Sequence, residues 1–412
     1  LAKPPPHSLE KLPTTISIWI PRLKCYSKRQ SLLVRMDLNK QSSTKEIAGR
    51  DLTVEVSNLA SQTNGSVIAT YGDTTVLATV VMDSEDKDIP FFPLTVDYEE
   101  KFYAAGKILG GQFMRREGRP SEDAVLSGRL VDRVIRPLFD KHLRRGIQVV
   151  LTILSYDGEN DPDFVALMAA STAISISDIP WDGPVAALRV AKKHGEYITN
   201  PLNKDVEEIS PGELDAFIAG TKDRINMIEM GGYEVSEEDA SKACQMALDQ
   251  FKELTDFQKE IVAKVGKEKS EVPIPEPSKD LIETARNFLS DKLEAAMYIT
   301  SKEERDNSLS NLEGELKQFL EEHSFGEDEL IHAEALFEKE LDDLVHKNVM
   351  EKDKRPDGRR LDEVRKLYAE VGTLPRMHGT GIFVRGDTQS LAVTTLGAPG
   401  DQQTFDTIKV SG

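Results

Sequence analysis

The sequence predicts a mixed α/β (α+β) protein in which one β-rich core unit occurs twice, with an all-helical segment between the copies. Three observations predict this. "NGSVIATYGDTTVLATVV" (Asn64–Val81) resembles "HGTGIFVRGDTQSLAVTTLG" (His378–Gly397), and both place Gly-Asp-Thr seven residues after an earlier glycine. Between the copies, strand-like apolar runs alternate with segments of helical period. From Asp280 to Lys352 the chain has no proline and is dominated by Leu, Glu, Lys and Ala, which is helix-forming composition.

In chain order, residues 1–45 read as an N-terminal extension. Residues 1–35 hold seven Lys or Arg against one acid, Glu10, and show no sustained periodicity. Two readings stay open: translated or disordered sequence upstream of a start at Met36, or an organelle transit peptide. Residues 46–250 are expected to form the first core. "AGRDLTVEV" (Ala48–Val56) matches "DGRRLDEVR" (Asp357–Arg365) at an offset of 309, against 314 for Gly-Asp-Thr, so order and approximate spacing persist. In each copy the Gly-Asp pair is expected to join two strands, because Gly tolerates positive φ and Asp can bond the following backbone.

Further strands are expected at Gly146–Tyr156 and Leu214–Thr221, and a buried helix at Pro162–Ser177, where small residues recur at helical period. Ser236 followed by acids signals a helix start and a helix running to Gly266. Residues 251–350 are read as the helical domain, with the proline-rich linker at 271–279. Its acids fall between apolar residues of helical spacing, the pattern of a solvated helix surface. Residues 355–412 read as the truncated start of a second core. The chain stops at "DTIKVSG", so a fragment is expected.

The formal net charge of −19 argues against nonspecific wrapping of nucleic acid by the whole surface, but not against a local basic site. Two cysteines, Cys25 and Cys244, give no disulfide framework or cysteine metal site, and a reducing compartment is expected. No run approaches 18 apolar residues, so no membrane partner is expected. GxxxxGK[ST], HExxH, CxxC and GxSxG are all absent, and the seven histidines are scattered without metal-ligand spacing.

Positive charge collects in "GGQFMRREGRPSEDAVLSGRLVDRVIRPLF" (Gly110–Phe139), which holds six arginines. Gly110–Ser121 reads as a loop. Glu122–Arg136 reads as a helix with Leu126, Leu130, Val131, Val134, Ile135 and Leu138 available to a core. Arg129, Arg133 and Arg136 fall at i, i+4 and i+7 and so share a helix face. Such a face is either neutralised by carboxylates such as Asp123 and Asp132 in a salt-bridge network, or it receives an anion. Phe113 beside Arg115, Arg116 and Arg119 pairs a stackable ring with phosphate donors, the combination that a single-stranded nucleic acid needs.

"FMRREGRPSE…RLVDRVIRPLF", then "NDPDFVALMAASTAISISDIPWDGPVAALRV", resembles the first core of the polynucleotide phosphorylase family. "RPDGRRLDEVR" and "GTLPRMHGTGIFVRGDTQSLAVTTLG" resemble the start of that family's second core. The resemblance covers about Asp37 to Gly412. It implies RNase PH-like cores built of ribosomal protein S5 domain 2-like β-α units, joined by a helical linker domain, in a homotrimer that threads RNA through a central channel. It implies phosphorolysis of single-stranded RNA from its 3′ end in mRNA degradation, with inorganic phosphate as co-substrate and Mg²⁺ as cofactor. A cytoplasmic location follows, or an organellar one if residues 1–35 are a transit peptide.

By that resemblance, Phe113, Arg115, Arg116 and Arg119 match the channel-constriction loop, and Arg129, Arg133 and Arg136 match arginines lining the RNA path. Met114 departs from the family, where many members carry a second aromatic, and this puts stacking there in doubt. The family's Ser-rich phosphate loop, acidic metal ligands and catalytic Lys lie further into the second core, and its KH and OB-type RNA-binding domains are C-terminal and expected to be absent too. No catalytic or metal residue is therefore assigned within this chain. The competing class is a non-catalytic RNA-binding or scaffold module built from the first core and the helical domain.

Overall fold

The computed structural model of the chain describes residues 38–409, apart from 88, 90, 109–117, 207–209, 274–276 and 402–406; the side chains of 327 and 328 are also outside the description. Residues 1–37 of the extension read at 1–45 lie outside it, as do Phe113, Met114, Arg115, Arg116 and part of the 271–279 linker.

The first sheet is built from β1 (Gln41–Ile47), β2 (Arg50–Val56), β3 (Gly65–Tyr71), β4 (Thr74–Asp86), β5 (Leu94–Glu100) and β6 (Arg145–Ser155), in the order β1-β2-β3-β4-β6-β5. All pairings are antiparallel except β5 with β6. That parallel pair needs a crossover, and helix α1 (Glu122–Ile135) supplies it, packing on β5. Gly128 lets the helix approach, since a Cβ there would sit 3.2 Å from the Val96 carbonyl oxygen.

Helix α2 (Pro162–Ile176) follows β6 and is buried on every side. An all-round apolar helix needs cover all round. It has β3 and β4 on one side and, on the other, β7 (Ala186–Lys193) and helix α4 (Glu237–Val265). Strand β7 belongs to a second sheet with β8 (Glu196–Thr199), β9 (Leu214–Thr221) and β10 (Arg224–Gly232), in the order β10-β9-β7-β8; the short helix α3 (Asn203–Val206) joins β8 to β9. The core between the sheets includes Leu52, Tyr71, Val76, Leu151, Phe164 and Phe251, with the Tyr71 and Phe164 rings edge-on at 5.1 Å.

Four sequence expectations change. Ser236 caps α4, accepting from the Asp239 amide at 3.2 Å, but α4 belongs to the first core. Phe251, Leu254, Phe257 and Ile261 are buried there, so a boundary at 250/251 cuts one continuous helix. At the other end the sheet begins at Gln41, ahead of residue 46. Leu126 is 60% exposed rather than in the core, because α1 meets the sheet through Ala124, Gly128, Val131 and Ile135. The expected helix also ends at Ile135, and Arg136–Leu138 tighten into a 3₁₀ turn.

The helical unit comprises α5 (Lys279–Leu289), α6 (Leu293–Met297), α7 (Lys302–Glu322), α8 (Glu327–Leu330) and α9 (Ala333–Lys352). It has a separate core in which Leu281, Leu289, Leu312, Leu316, Leu320 and Phe337 are buried. Beyond it, β11 (Leu367–Val371), β12 (Gly379–Arg385) and β13 (Thr388–Thr394) form an antiparallel sheet.

The two hairpins of the repeat share one register. Gly65 faces Val80 and Tyr71 faces Thr74, while Gly379 faces Thr394 and Arg385 faces Thr388. Gly72 and Gly386 open the two-residue turns at φ 60° and 59°. The upstream match is looser. Leu52 faces Tyr71 in the first copy, whereas Leu367 faces Arg385 in the second, so the second Gly-Arg pair lies several residues ahead of its strand.

Candidate nucleic-acid interface

Ahead of α1 the described structure resumes at Gly118, and Ser121 fixes the start of the helix. The Ser121 Oγ accepts from the Ala124 amide at 3.0 Å and donates to Glu100 Oε2 at 2.9 Å, which ties the helix start to the end of β5. Arg119 and Arg129 are exposed and line one cleft of about 360 Å³, walled by Val96, Tyr98 and Val125. Of the acids that border this cleft, Glu99 pairs with Lys101 at 2.9 Å and Asp97 accepts from Gln148 at 2.7 Å, while Glu100 is engaged only through the Oε2 that accepts from Ser121. Arg133, one turn beyond Arg129, is also exposed and rests its Nη1 3.8 Å from the Met227 sulfur on β10. Among the described residues, Arg119, Arg129 and Arg133 pair with no carboxylate.

Arg136 differs. Its guanidinium grips Asp132 with two hydrogen bonds, of 2.9 and 2.7 Å, and donates to the carbonyls of Phe92 at 3.3 Å and Leu94 at 3.1 Å. It also lies 5.8 Å from the Phe92 ring centroid. The salt-bridge reading left open by the sequence describes Arg136; among the described residues Arg129 and Arg133 make no such pair. Arg136 pins the end of α1 to the start of β5.

A second polar cluster lies at the start of α2, and sequence reasoning passed over it as part of a helix signal. Asp161 caps α2 and accepts from the Asp163 amide at 3.0 Å. Arg189 on β7 bridges Asp161 at 3.1 Å and Asp215 at 2.7 Å. Asp163 accepts from the Tyr98 hydroxyl at 2.6 Å and the Ser127 hydroxyl at 3.0 Å. Asp161, Asp163, Arg189 and Asp215 line a pocket of about 480 Å³. Burial pushes the Asp161 carboxyl above its usual range and Asp163 adds to this, against the pull of Arg189 and Lys409. Burial, with Asp163 as hydrogen-bond partner, likewise raises the Tyr98 hydroxyl. The signal available in the sequence was an Asp-Pro-Asp opening a helix with no other charge.

Among the described residues no three His, Cys, Asp or Glu side chains converge to hold a metal ion. No described helix is long and apolar enough to cross a membrane.

Three family models match in order along the chain. Residues 48–180 match the 3′ exoribonuclease family, domain 1; residues 183–250 match its domain 2; and residues 280–360 match the RNA-binding domain of polyribonucleotide nucleotidyltransferase. The polyribonucleotide nucleotidyltransferase of Exiguobacterium sibiricum is 44% identical over 372 residues, covering 90% of this chain. The chain belongs to the polyribonucleotide nucleotidyltransferase family. A member of this family from Bacillus licheniformis is 44% identical over 363 residues, 88% of this chain, and one from Oceanobacillus iheyensis is 41% identical over 367 residues, 89% of it. The chain spans about half the length of these relatives: 50%, 51% and 52% respectively. The two exoribonuclease models meet between α2 and β7, so each describes one of the two sheets of the first core.

Proposed function

We propose that this chain carries the RNA-guiding part of a phosphate-dependent 3′-to-5′ exoribonuclease of RNA turnover. In that reaction inorganic phosphate attacks the phosphorus of the terminal phosphodiester. The bond to the penultimate 3′ oxygen breaks, a nucleoside diphosphate leaves, and the reverse reaction polymerises diphosphates. The observation that carries this reading is the α1 face with the turn before it, where Arg119, Arg129 and Arg133 are exposed and, among the described residues, without carboxylate partners in a chain of net charge −19. Free guanidinium groups there meet phosphates along a single strand, and Phe113, Arg115 and Arg116 on the preceding loop supply the stacking ring and further donors.

The described residues guide and orient RNA, and none is assigned to bond breaking. Mg²⁺ belongs to the proposed chemistry of the whole enzyme, which would act as a homotrimer on cytoplasmic RNA 3′ ends.

Poly(A), inorganic phosphate and the 412-residue chain test the reading together. The expected result is saturable binding of poly(A) with no release of adenosine diphosphate. Phosphate-dependent release would overturn the division of labour, and absence of binding would overturn the guiding role.

A further inference from the structure

We propose that the acidic pocket at the start of α2 is a docking site for a lysyl peptide, and that its ligand is this chain's own segment Thr407–Lys409. Three contacts, each of a different kind, seat the segment on the first core. Lys107 Nζ donates to the main-chain carbonyls of Thr407 at 3.1 Å and Ile408 at 3.2 Å, gripping backbone rather than side chain. Ile408 is 2% exposed and is part of the first core's apolar cluster, whose other buried residues run from Ile47 to Ile261. Lys409 lines the pocket alongside Tyr156, Asp161 and Asp163, with its Nζ 4.0 Å from Asp163 Oδ2. A main-chain clamp, an apolar anchor and a charge-matched end pocket together make up how extended peptides are recognised.

The pocket's electrostatics require a cation. Asp161 and Asp163 belong to one helix start, and Arg189 is shared between Asp161 and Asp215. Glu100 adds a further carboxylate, whose Oε1 is buried without a hydrogen-bond partner among the described residues. Carboxylates brought together out of water repel one another unless a cation joins them. Burial works against the Lys409 charge, yet the pull of Asp163, Asp161 and Glu100 prevails and raises its pKa.

The consequence is mechanical. Glu100 holds Ser121, the cap of α1, and Asp163 holds Ser127 in the middle of α1. The docked segment therefore connects the second repeat to the helix that presents Arg129 and Arg133. This inference stands on intrachain contacts and is independent of RNA binding.

Hydrogen exchange of the full 412-residue chain tests it. Lys409→Glu and Ile408→Ala should each speed exchange about tenfold at amides of residues 98–107 and the first turn of α2, with α7 unchanged as internal control. Lys409→Arg should exchange as the parent does. Unchanged protection at 98–107 in both Lys409→Glu and Ile408→Ala would overturn the proposal.

Discussion

Individual side chains decide which charges are available and which are spent. Arg136 and Arg133 look alike in the sequence, but the i, i+4 relation of Arg136 to Asp132 engages its guanidinium. Arg136→Ala should lower the urea midpoint while leaving poly(A) affinity within about twofold, the pattern expected of a residue that positions α1. Glu213 gives the pH counterpart. Its Oε1 accepts from the His194 amide at 3.0 Å and its Oε2 from the Ser210 amide at 2.9 Å. These bonds, to Ser210 first and then His194, hold its carboxyl down at about 2. A depressed carboxylate contributes stability that is fully present above its unfolded pKa, near 4.5, and is lost as pH falls towards 2. The melting-temperature gap between the parent and Glu213→Gln should thus be constant from pH 7 to 5 and shrink between pH 4.5 and 2. A gap independent of pH would contradict the assignment.

Among elements, α2 sets the geometry of the first core because both sheets close on it. Gly65, at the start of β3, has no room for a methyl group: a Cβ there would lie 2.3 Å from the Ala173 carbonyl oxygen on α2. Gly65→Ala should destabilise by about 1–3 kcal/mol through overpacking, read as a fall in the urea midpoint. The buried helix, the long β6, β9 and the capped α4 were all legible in the sequence, since each has a continuous apolar run or a strong cap. Strands β7, β8 and β10 were not. The run Arg189-Val190-Ala191-Lys192-Lys193 carries charges that only the tertiary partners Asp215, Asp239 and Glu213 make compatible with a half-buried strand. The hairpin register of the repeat was legible for a related reason: a two-residue turn opened by glycine at positive φ leaves one pairing. The Asp161–Asp163 pocket was illegible, because Arg189, Asp215 and Lys409 reach it from distant positions.

The whole molecule separates its charges and its cores. Residues 279–352 hold 20 acids against 9 Lys or Arg, so −11 of the −19 lies on the helical unit. The arginine face of α1 belongs to a different unit, and salt screens exposed charges beyond about 8–10 Å. Two separate apolar clusters predict two unfolding steps. Leu316 is fully buried in the helical unit, and Leu316→Ala should cost that unit about 2–5 kcal/mol. Calorimetry should show one transition lowered and the other in place; a single transition moving as a whole would show that the two cores unfold together.

The central claim is that an uncompensated arginine face guides RNA, and the salt dependence of single-stranded RNA binding tests it most directly. Each phosphate neutralised on a single strand contributes about 0.7 to the slope of log K against log salt. Arg129→Ala/Arg133→Ala in the 412-residue chain should weaken poly(A) binding and flatten that slope by about 1.4. Lys292→Ala on the helical unit should leave both unchanged. An unaltered slope in the double variant, with its fold intact by circular dichroism, would contradict the account.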